Sequence, residues 1–191
     1  MENQRDILVF AGPSGVGKST LYKMMLHQFP DRLDFAISAT TRPIRIGEVD
    51  GKDYYFLSEK DFKQKVESGD FIEHEEVYPG RWYGTLASEI DRVKSLDKII
   101  LLDVDVLGAI NIKKIYGQQA LIVFIKPESI EALEERLRSR GSESKEEILI
   151  RVARFKKELS YEKDFDEVVV NETNKLDNSR TQLEEIISNN F

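Results

Sequence analysis

Cysteine is absent from this chain of 191 residues, and that absence removes whole classes of chemistry. Disulfides, thiolate nucleophiles and cysteine-held zinc or iron–sulfur sites are excluded, and a reducing, cytoplasmic setting is the expected location. Histidine is nearly absent: His27 and His74 stand far apart with no partner at ligand spacing, so they read as surface or packing residues rather than metal ligands. Long hydrophobic runs are missing, none approaching the ~18 residues of a membrane span, and the opening Met1-Glu2-Asn3-Gln4-Arg5-Asp6 is polar. Neither a signal peptide nor an anchor is expected. Positive charge is in deficit, 28 Lys and Arg against 35 Asp and Glu for a net charge of -7, so no general field gathers a nucleic-acid backbone. The basic residues must act locally.

What the chain does have is enough apolar content, 40%, to bury the core of one compact domain. It also has Gly12-Pro13-Ser14-Gly15-Val16-Gly17-Lys18-Ser19, a complete G-x-x-x-x-G-K-[ST] loop. The loop follows the apolar run Ile7-Leu8-Val9-Phe10-Ala11 and precedes a helix-patterned stretch at residues 20–28. Strand, loop and helix stand in the order a phosphate cradle needs. The glycines let backbone N–H groups turn inward around a polyphosphate, Lys18 reaches its β and γ groups, and the Ser19 hydroxyl is placed for Mg²⁺. The helix that begins there adds the positive end of its dipole.

Strand-like runs at residues 7–11, 98–104, 120–125 and 167–170 alternate with helical stretches, the pattern of a parallel sheet covered on both faces. Between the first two lies an insertion of different character. It contains a strand-like run at residues 34–38, a polar loop at 39–53, a second run at 54–57, a helix opened by Ser58 with Asp61 three residues on, and a strand at 70–77. A turn at Tyr78-Pro79-Gly80-Arg81 leads into Trp82-Tyr83-Gly84-Thr85 and another helix, so the insertion reads as a small mixed subdomain. Beyond Pro127 a helix runs to a stop at Gly141. The next carries Ile148, Val152, Phe155 and Leu159 on one packed stripe, and the polar faces of the pair carry Arg136, Arg140, Arg151 and Arg154.

The loop Ser38-Ala39-Thr40-Thr41-Arg42-Pro43-Ile44-Arg45-Ile46-Gly47-Glu48 sets two guanidinium groups three residues apart, stiffened by Pro43. Two planar forks so held suit one phosphate, and Tyr54 and Tyr83 offer phenolic donors to the same anion. Alone, two arginines in a polar loop describe a solvated surface; beside a phosphate cradle they describe a second substrate.

These motifs together resemble the guanylate kinase family. The resemblance rests on the phosphate loop, Ser38-x-Thr40-Thr41-Arg42-x-x-Arg45-x-Gly47-Glu48-x-x-Gly51-x-Asp53-Tyr54, Phe71-Ile72-Glu73, Tyr83-Gly84-Thr85 and Leu102-Asp103-Val104-Asp105. It continues through Arg136-Leu137-x-x-Arg140-Gly141 and Arg151 to Val170-Asn171. It implies an α/β, P-loop nucleoside monophosphate kinase-like fold: a parallel sheet core flanked by helices (1–33, 97–135 and 160–191), a small mixed α/β GMP-binding subdomain (34–96) and a helical lid (136–159). The implied reaction, in purine nucleotide metabolism, passes the γ-phosphoryl group of ATP to GMP, with dGMP expected as a second acceptor and Mg²⁺ as cofactor.

Carried over position by position, the resemblance assigns Gly12, Pro13, Ser14, Gly15, Val16, Gly17, Lys18, Ser19, Thr20, Arg136 and Asn171 to ATP, with Asn171 in the adenine pocket. It assigns Arg42, Arg45, Tyr54 and Tyr83 to the GMP phosphate, Ser38, Glu73 and Thr85 to guanine, and Glu48, Asp103 and Asp105 to the acceptor site. Ser19 and Asp105 are implied near the metal, and Lys18, Arg42, Arg140 and Arg151 in catalysis. Leu107 departs from the family, which often has Gln there.

Guanine chemistry agrees with the base-reading set. A carboxylate at Glu73 takes the adjacent N1–H and N2–H₂ donors while a hydroxyl at Ser38 gives to O6. Adenine presents an acceptor at N1 and leaves that carboxylate unpaired, a loss of roughly 1–3 kcal/mol or more. Asp103 and Asp105 close an apolar strand, where alternation is expected to send both to one side. Two other readings stay open at this stage: a nucleoside monophosphate kinase of other base specificity, and a catalytically inactive module of the same fold that binds a phosphorylated peptide. ATP and GMP are the expected partners, and monomer and homodimer are both open.

Overall fold

A computed structural model describes residues 5–141 and 144–191, the side chain of Arg140 excepted. The chain begins β1 (Ile7–Ala11), α1 (Lys18–Gln28), β2 (Leu33–Phe35), β3 (Ser38–Thr40), β4 (Tyr55–Phe56), α2 (Glu59–Glu67), β5 (Phe71–Tyr78) and β6 (Arg81–Leu86). It continues α3 (Ala87–Lys94), β7 (Ile99–Val104), α4 (Val106–Tyr116), β8 (Ala120–Pro127), α5 (Ile130–Arg140), α6 (Lys145–Glu158), β9 (Glu167–Asn171) and α7 (Leu176–Asn190).

The larger sheet has five parallel strands in the order β2-β7-β1-β8-β9. Every residue of β1 is buried, because strand alternation feeds two cores. Leu8 and Phe10 join Leu21, Met25, Leu133, Leu137 and Leu183 on one face, while Ile7, Val9 and Ala11 join Ile90, Val93, Ala109 and Ile112 on the other. The α6 stripe, Ile148, Val152 and Phe155, belongs to the first of these cores, so this helix is anchored on the body of the molecule. Its start is fixed by a capping box between Ser144 and Glu147.

The smaller sheet is mixed, in the order β4-β3-β6-β5, and α2 covers it through Phe62, which packs with Ala39 and Leu86. As expected, Ser58 caps α2, accepting from the Asp61 N–H at 3.1 Å.

One run differs from its sequence reading. Residues 34–38 do not form a single strand of the insertion: β2 completes the larger sheet beside β7, and β3 opens the smaller one. The chain changes sheets at Ala36 and Ile37, where Glu89 accepts from the Ile37 N–H at 2.9 Å and Arg92 donates to the Phe35 carbonyl at 2.7 Å. A short apolar run carries no mark of which neighbour it will pair with, so periodicity could not show the break.

Candidate active site

A cleft of about 410 Å³ opens between the two sheets. Its floor is the loop between β1 and α1. Gly12 and Gly17 have φ of 142° and 94°, and each lies under a close neighbour: a Cβ on Gly12 would stand 2.2 Å from the Ile125 carbonyl oxygen, and one on Gly17 would stand 2.5 Å from Asn171 Nδ2. Only glycine satisfies both the backbone and the contact. Lys18 folds back over the loop, donating to the carbonyls of Gly12 at 2.6 Å and Pro13 at 3.2 Å, with Asp103 Oδ1 at 3.6 Å. Burial pushes the Asp103 carboxyl up, while Lys18 and a hydrogen bond from Ser19 oppose the rise. Gly12, Pro13, Ser14, Gly15, Gly17, Ser19 and Thr20 line the cleft, whereas the Val16 side chain is buried beneath it.

Three expected residues sit differently. Asn171 does not line the cleft: it is buried under the loop, where its amide donates to the Val16 carbonyl at 2.7 Å and its oxygen meets Ser179 at 3.2 Å. It braces the cradle from below. Arg136 lies beside it, donating to the Asn171 carbonyl at 2.7 Å, Glu128 at 3.0 Å and Thr173 at 3.0 Å. Asp105 does not continue the strand alternation, because β7 ends at Val104 and Asp105 caps α4, accepting from the Gly108 N–H at 2.7 Å. Asp103, rather than Asp105, is therefore the carboxylate beside Lys18 and Ser19.

The opposite wall of the cleft is assembled by strand register. Ser38 on β3 faces Thr85 on β6, and Thr85 faces Glu73 on β5, so three residues far apart in the sequence stand abreast. Thr85 donates to Glu73 Oε1 at 2.7 Å, and the Ser38 hydroxyl is buried with no hydrogen-bond partner among the described residues. Burial raises the Glu73 carboxyl to about 7; Thr85 works against the rise, and the charges of Asp105 and Glu75 add to it. A carboxyl so held is poised for ligand donors. Gly108 explains how α4 approaches so closely, since a Cβ there would stand 2.7 Å from Glu73 Oε2. The sequence signal was present, a glycine inside an apolar helix, but without its neighbour it had no meaning.

Arg42 is buried and held by Glu48 through a paired contact, Nη2 to Oε1 at 2.7 Å and Nη1 to Oε2 at 2.9 Å. Glu48 also accepts from the Arg45 N–H at 2.8 Å, so it orders the arginine loop while itself lining the cleft, where it is expected among the acceptor-site residues. Burial is the largest influence and works against that carboxylate, but the Arg42 hydrogen bonds, the Arg45 N–H and the charges of both arginines together more than offset it, leaving Glu48 below the usual range. Arg45, Tyr54 and Tyr83 line the cleft, with the Arg42 guanidinium 5.4 Å from the Tyr54 ring.

From α6, Arg151 reaches across to donate to the Ser14 hydroxyl, with its guanidinium 5.0 Å from the ring of Tyr78. The catalytic role expected of Arg140 falls on a side chain outside the described residues. Arg154, Glu158 and Tyr78 also line the cleft, and sequence reasoning did not name them as site residues. Leu107 is 41% exposed.

With the geometry in view, the comparisons converge. A guanylate kinase from Salinibacter ruber is 45% identical over 168 residues, 88% of each chain, and one from Chlorobaculum tepidum is 47% identical over 171 residues, 89% of this chain and 86% of that one. The crystal structure of guanylate kinase from Anaplasma phagocytophilum superposes with a TM-score of 0.74 at 27% identity, covering 98% of this chain and 87% of that one. The family model for guanylate kinase matches residues 4–190, and the chain belongs to the guanylate kinase family.

Proposed function

We propose that this chain is an ATP:GMP phosphotransferase, moving the γ-phosphoryl group of ATP to GMP and releasing ADP and GDP. The observation that carries the choice of acceptor is the row Ser38, Thr85 and Glu73, with a buried hydroxyl that has no partner among the described residues at one end and a buried carboxyl at the other. Guanine complements both: O6 accepts from Ser38, and N1–H and N2–H₂ donate to the remaining acceptor capacity of Glu73. Thr85 holds the carboxylate from behind.

The donor nucleotide is read onto the glycine loop. Lys18 moves from the loop carbonyls onto the β and γ phosphates, and Arg151 lies against Ser14 where the γ group would arrive. Arg42 and Arg45, with Tyr54 and Tyr83, take the GMP phosphate from the opposite wall, so the reacting groups meet between two sets of cations. The acceptor oxygen is already anionic and needs no strong base. We take the acceptor subdomain to begin after β2, at residue 36, and the lid to span 136–159 with Arg140 in its sequence-based role. Their closure excludes water until both substrates are seated.

The residues fit Mg²⁺. The Ser19 hydroxyl and the Asp103 carboxylate are hard oxygen donors side by side at the foot of the loop. No group of three or more His, Asp or Glu able to hold a metal occurs among the described residues, as suits an ion held mainly by substrate phosphates and water. When bound, Mg²⁺ would offset charge on the β and γ phosphates. No helix of the structure is long and apolar enough to cross a membrane.

The test is a coupled ADP-release assay with Mg-ATP against GMP, dGMP, AMP, UMP, CMP and dTMP. Turnover with GMP and a rate with AMP lower by orders of magnitude is the expected result. No turnover with GMP would refute the reaction, and equal turnover with AMP would refute the role given to Glu73.

A further inference from the structure

Helix α6 sends two arginines into the cleft, and the transfer step described above uses only Arg151. Arg154, three residues on, has partners on three elements. Its Nη2 donates to Asp105 Oδ2 at 2.6 Å, its Nε donates to Glu158 Oε1 at 2.6 Å, and its Nη1 donates to the Val77 carbonyl on β5. The guanidinium also lies 5.4 Å from the ring of Tyr78, which it shares with Arg151. Both side chains of the Arg154–Asp105 pair are largely sheltered, 21% and 16% exposed, so the contact is little screened by solvent.

The geometry gives Asp105 no freedom. One oxygen caps α4 through Gly108, the other belongs to Arg154, and the same Gly108 passes directly beneath Glu73. Arg154 thus fixes one of the two carboxylates on the base side of the acceptor pocket and fastens β5, which carries the other, to the lid helix. We infer that Arg154 is a positioning residue for the acceptor: the guanine pocket takes its working shape only while α6 is docked on β5 and Asp105 through this side chain. Neither the loop of Gly12 to Ser19 nor Arg151 depends on it for a hydrogen bond, so the effect falls on the acceptor and spares the donor. This rests on the reading of Asp105 as an acceptor-side residue.

The experiment compares steady-state KM for GMP and for ATP, with kcat, in Arg154→Met, Arg154→Lys, Asp105→Asn and the Arg154→Met/Asp105→Asn double variant. Arg154→Met is expected to raise KM for GMP about tenfold, the loss of one charge-assisted contact, while KM for ATP stays within about twofold. Arg154→Lys, which keeps a cation for Asp105 but not the fork to Val77, should recover part of the loss. The double variant should fall clearly short of the sum of the two single effects, because the Asp105 contact is shared and only the anchoring to Val77 and Glu158 is lost in addition. Arg154→Met also leaves the buried Glu158 carboxylate unpaired and is expected to melt earlier; if it fails to fold, Arg154→Lys carries the same comparison of the two KM values. Equal shifts in both KM values, a fall in kcat alone, or additive effects in the double variant would overturn the inference. If Asp105→Asn leaves KM for GMP unchanged, the acceptor-side reading of Asp105 fails first; if it raises that KM and the Arg154 variants do not, only the inference on Arg154 fails.

Discussion

The two halves of the cleft are built on opposite principles. The donor half is one contiguous segment hung between a fully buried parallel strand and the helix it feeds, and its polar groups are already satisfied: Lys18 by two loop carbonyls, Val16 by Asn171. The acceptor half draws single side chains from β3, β5, β6 and the arginine loop, stands on a small sheet with a three-residue buried core, and leaves the Ser38 hydroxyl with no partner among the described residues. Main-chain amides cradle a phosphate of any nucleotide, so that half can be rigid and local. Telling one base from another needs side chains at set distances, and the donors and acceptors offered to the base must stay free of the protein. On the proposed reading, selectivity is therefore held in the half with the smaller core.

The sharpest way to break this comparison is at Lys18. Replacing it by alanine should lower kcat by roughly 10²–10³-fold while GMP binding, measured by calorimetry, stays close to the wild-type value. A parallel loss of GMP affinity would show that the two halves are not separable.

Glu73→Gln should come next, lowering kcat/KM for GMP by about 10²-fold with KM for ATP little changed. The same residue makes a pH prediction. Because guanine donates to the carboxylate, KM for GMP should rise as pH falls below about 7 in the wild type, and that rise should vanish in Glu73→Gln. Stability carries the opposite slope. The folded Glu73 holds a proton up to about pH 7 that the unfolded chain releases near 4.5, so its contribution is complete below about 4.5 and is lost as pH rises to about 7. Glu73→Gln should gain on the wild type across that window by an amount on the order of 3 kcal/mol, read by urea melts at pH 4.5 and 8. A flat difference between those two pH values would remove the physical basis given for the poised carboxyl.

Gly108→Ala sharpens the comparison further. Alanine favours a helix interior by up to about 1 kcal/mol, so on local propensity the variant should be more stable. The new Cβ would stand 2.7 Å from Glu73 Oε2, so KM for GMP should rise about tenfold regardless. The smallest effect is expected at Asn171→Ala: losing the brace under Val16 should cost about 1 kcal/mol of stability and raise KM for ATP a few-fold, leaving KM for GMP unchanged.

Legibility in the sequence followed the same division. The phosphate loop and the runs that became β1, β7, β8 and β9 could be read directly, because their meaning lies within a few consecutive residues. The α6 stripe was legible through its spacing. The sheet change at Ala36, the capping role of Asp105 and the brace made by Asn171 were not, since each depends on what the chain meets after folding. Arg154 appeared in the sequence only as one more cation on a polar helix face. Its importance comes from Asp105, Val77 and Glu158, two of them far away along the chain.

By itself, then, the sequence determined the strand, glycine loop and helix that floor the cleft, and supplied the side chains proposed to read a second nucleotide. Local chemistry suffices for that, because glycine freedom, strand apolarity and a lysine at fixed spacing act over a few residues. Only the tertiary structure decided which carboxylate stands beside Ser19, that Glu73 is held by Thr85 while the Ser38 hydroxyl has no partner among the described residues, and that α6 is tied to β5 through Arg154. Those outcomes depend on register and close approach between distant segments, which no window along the chain contains.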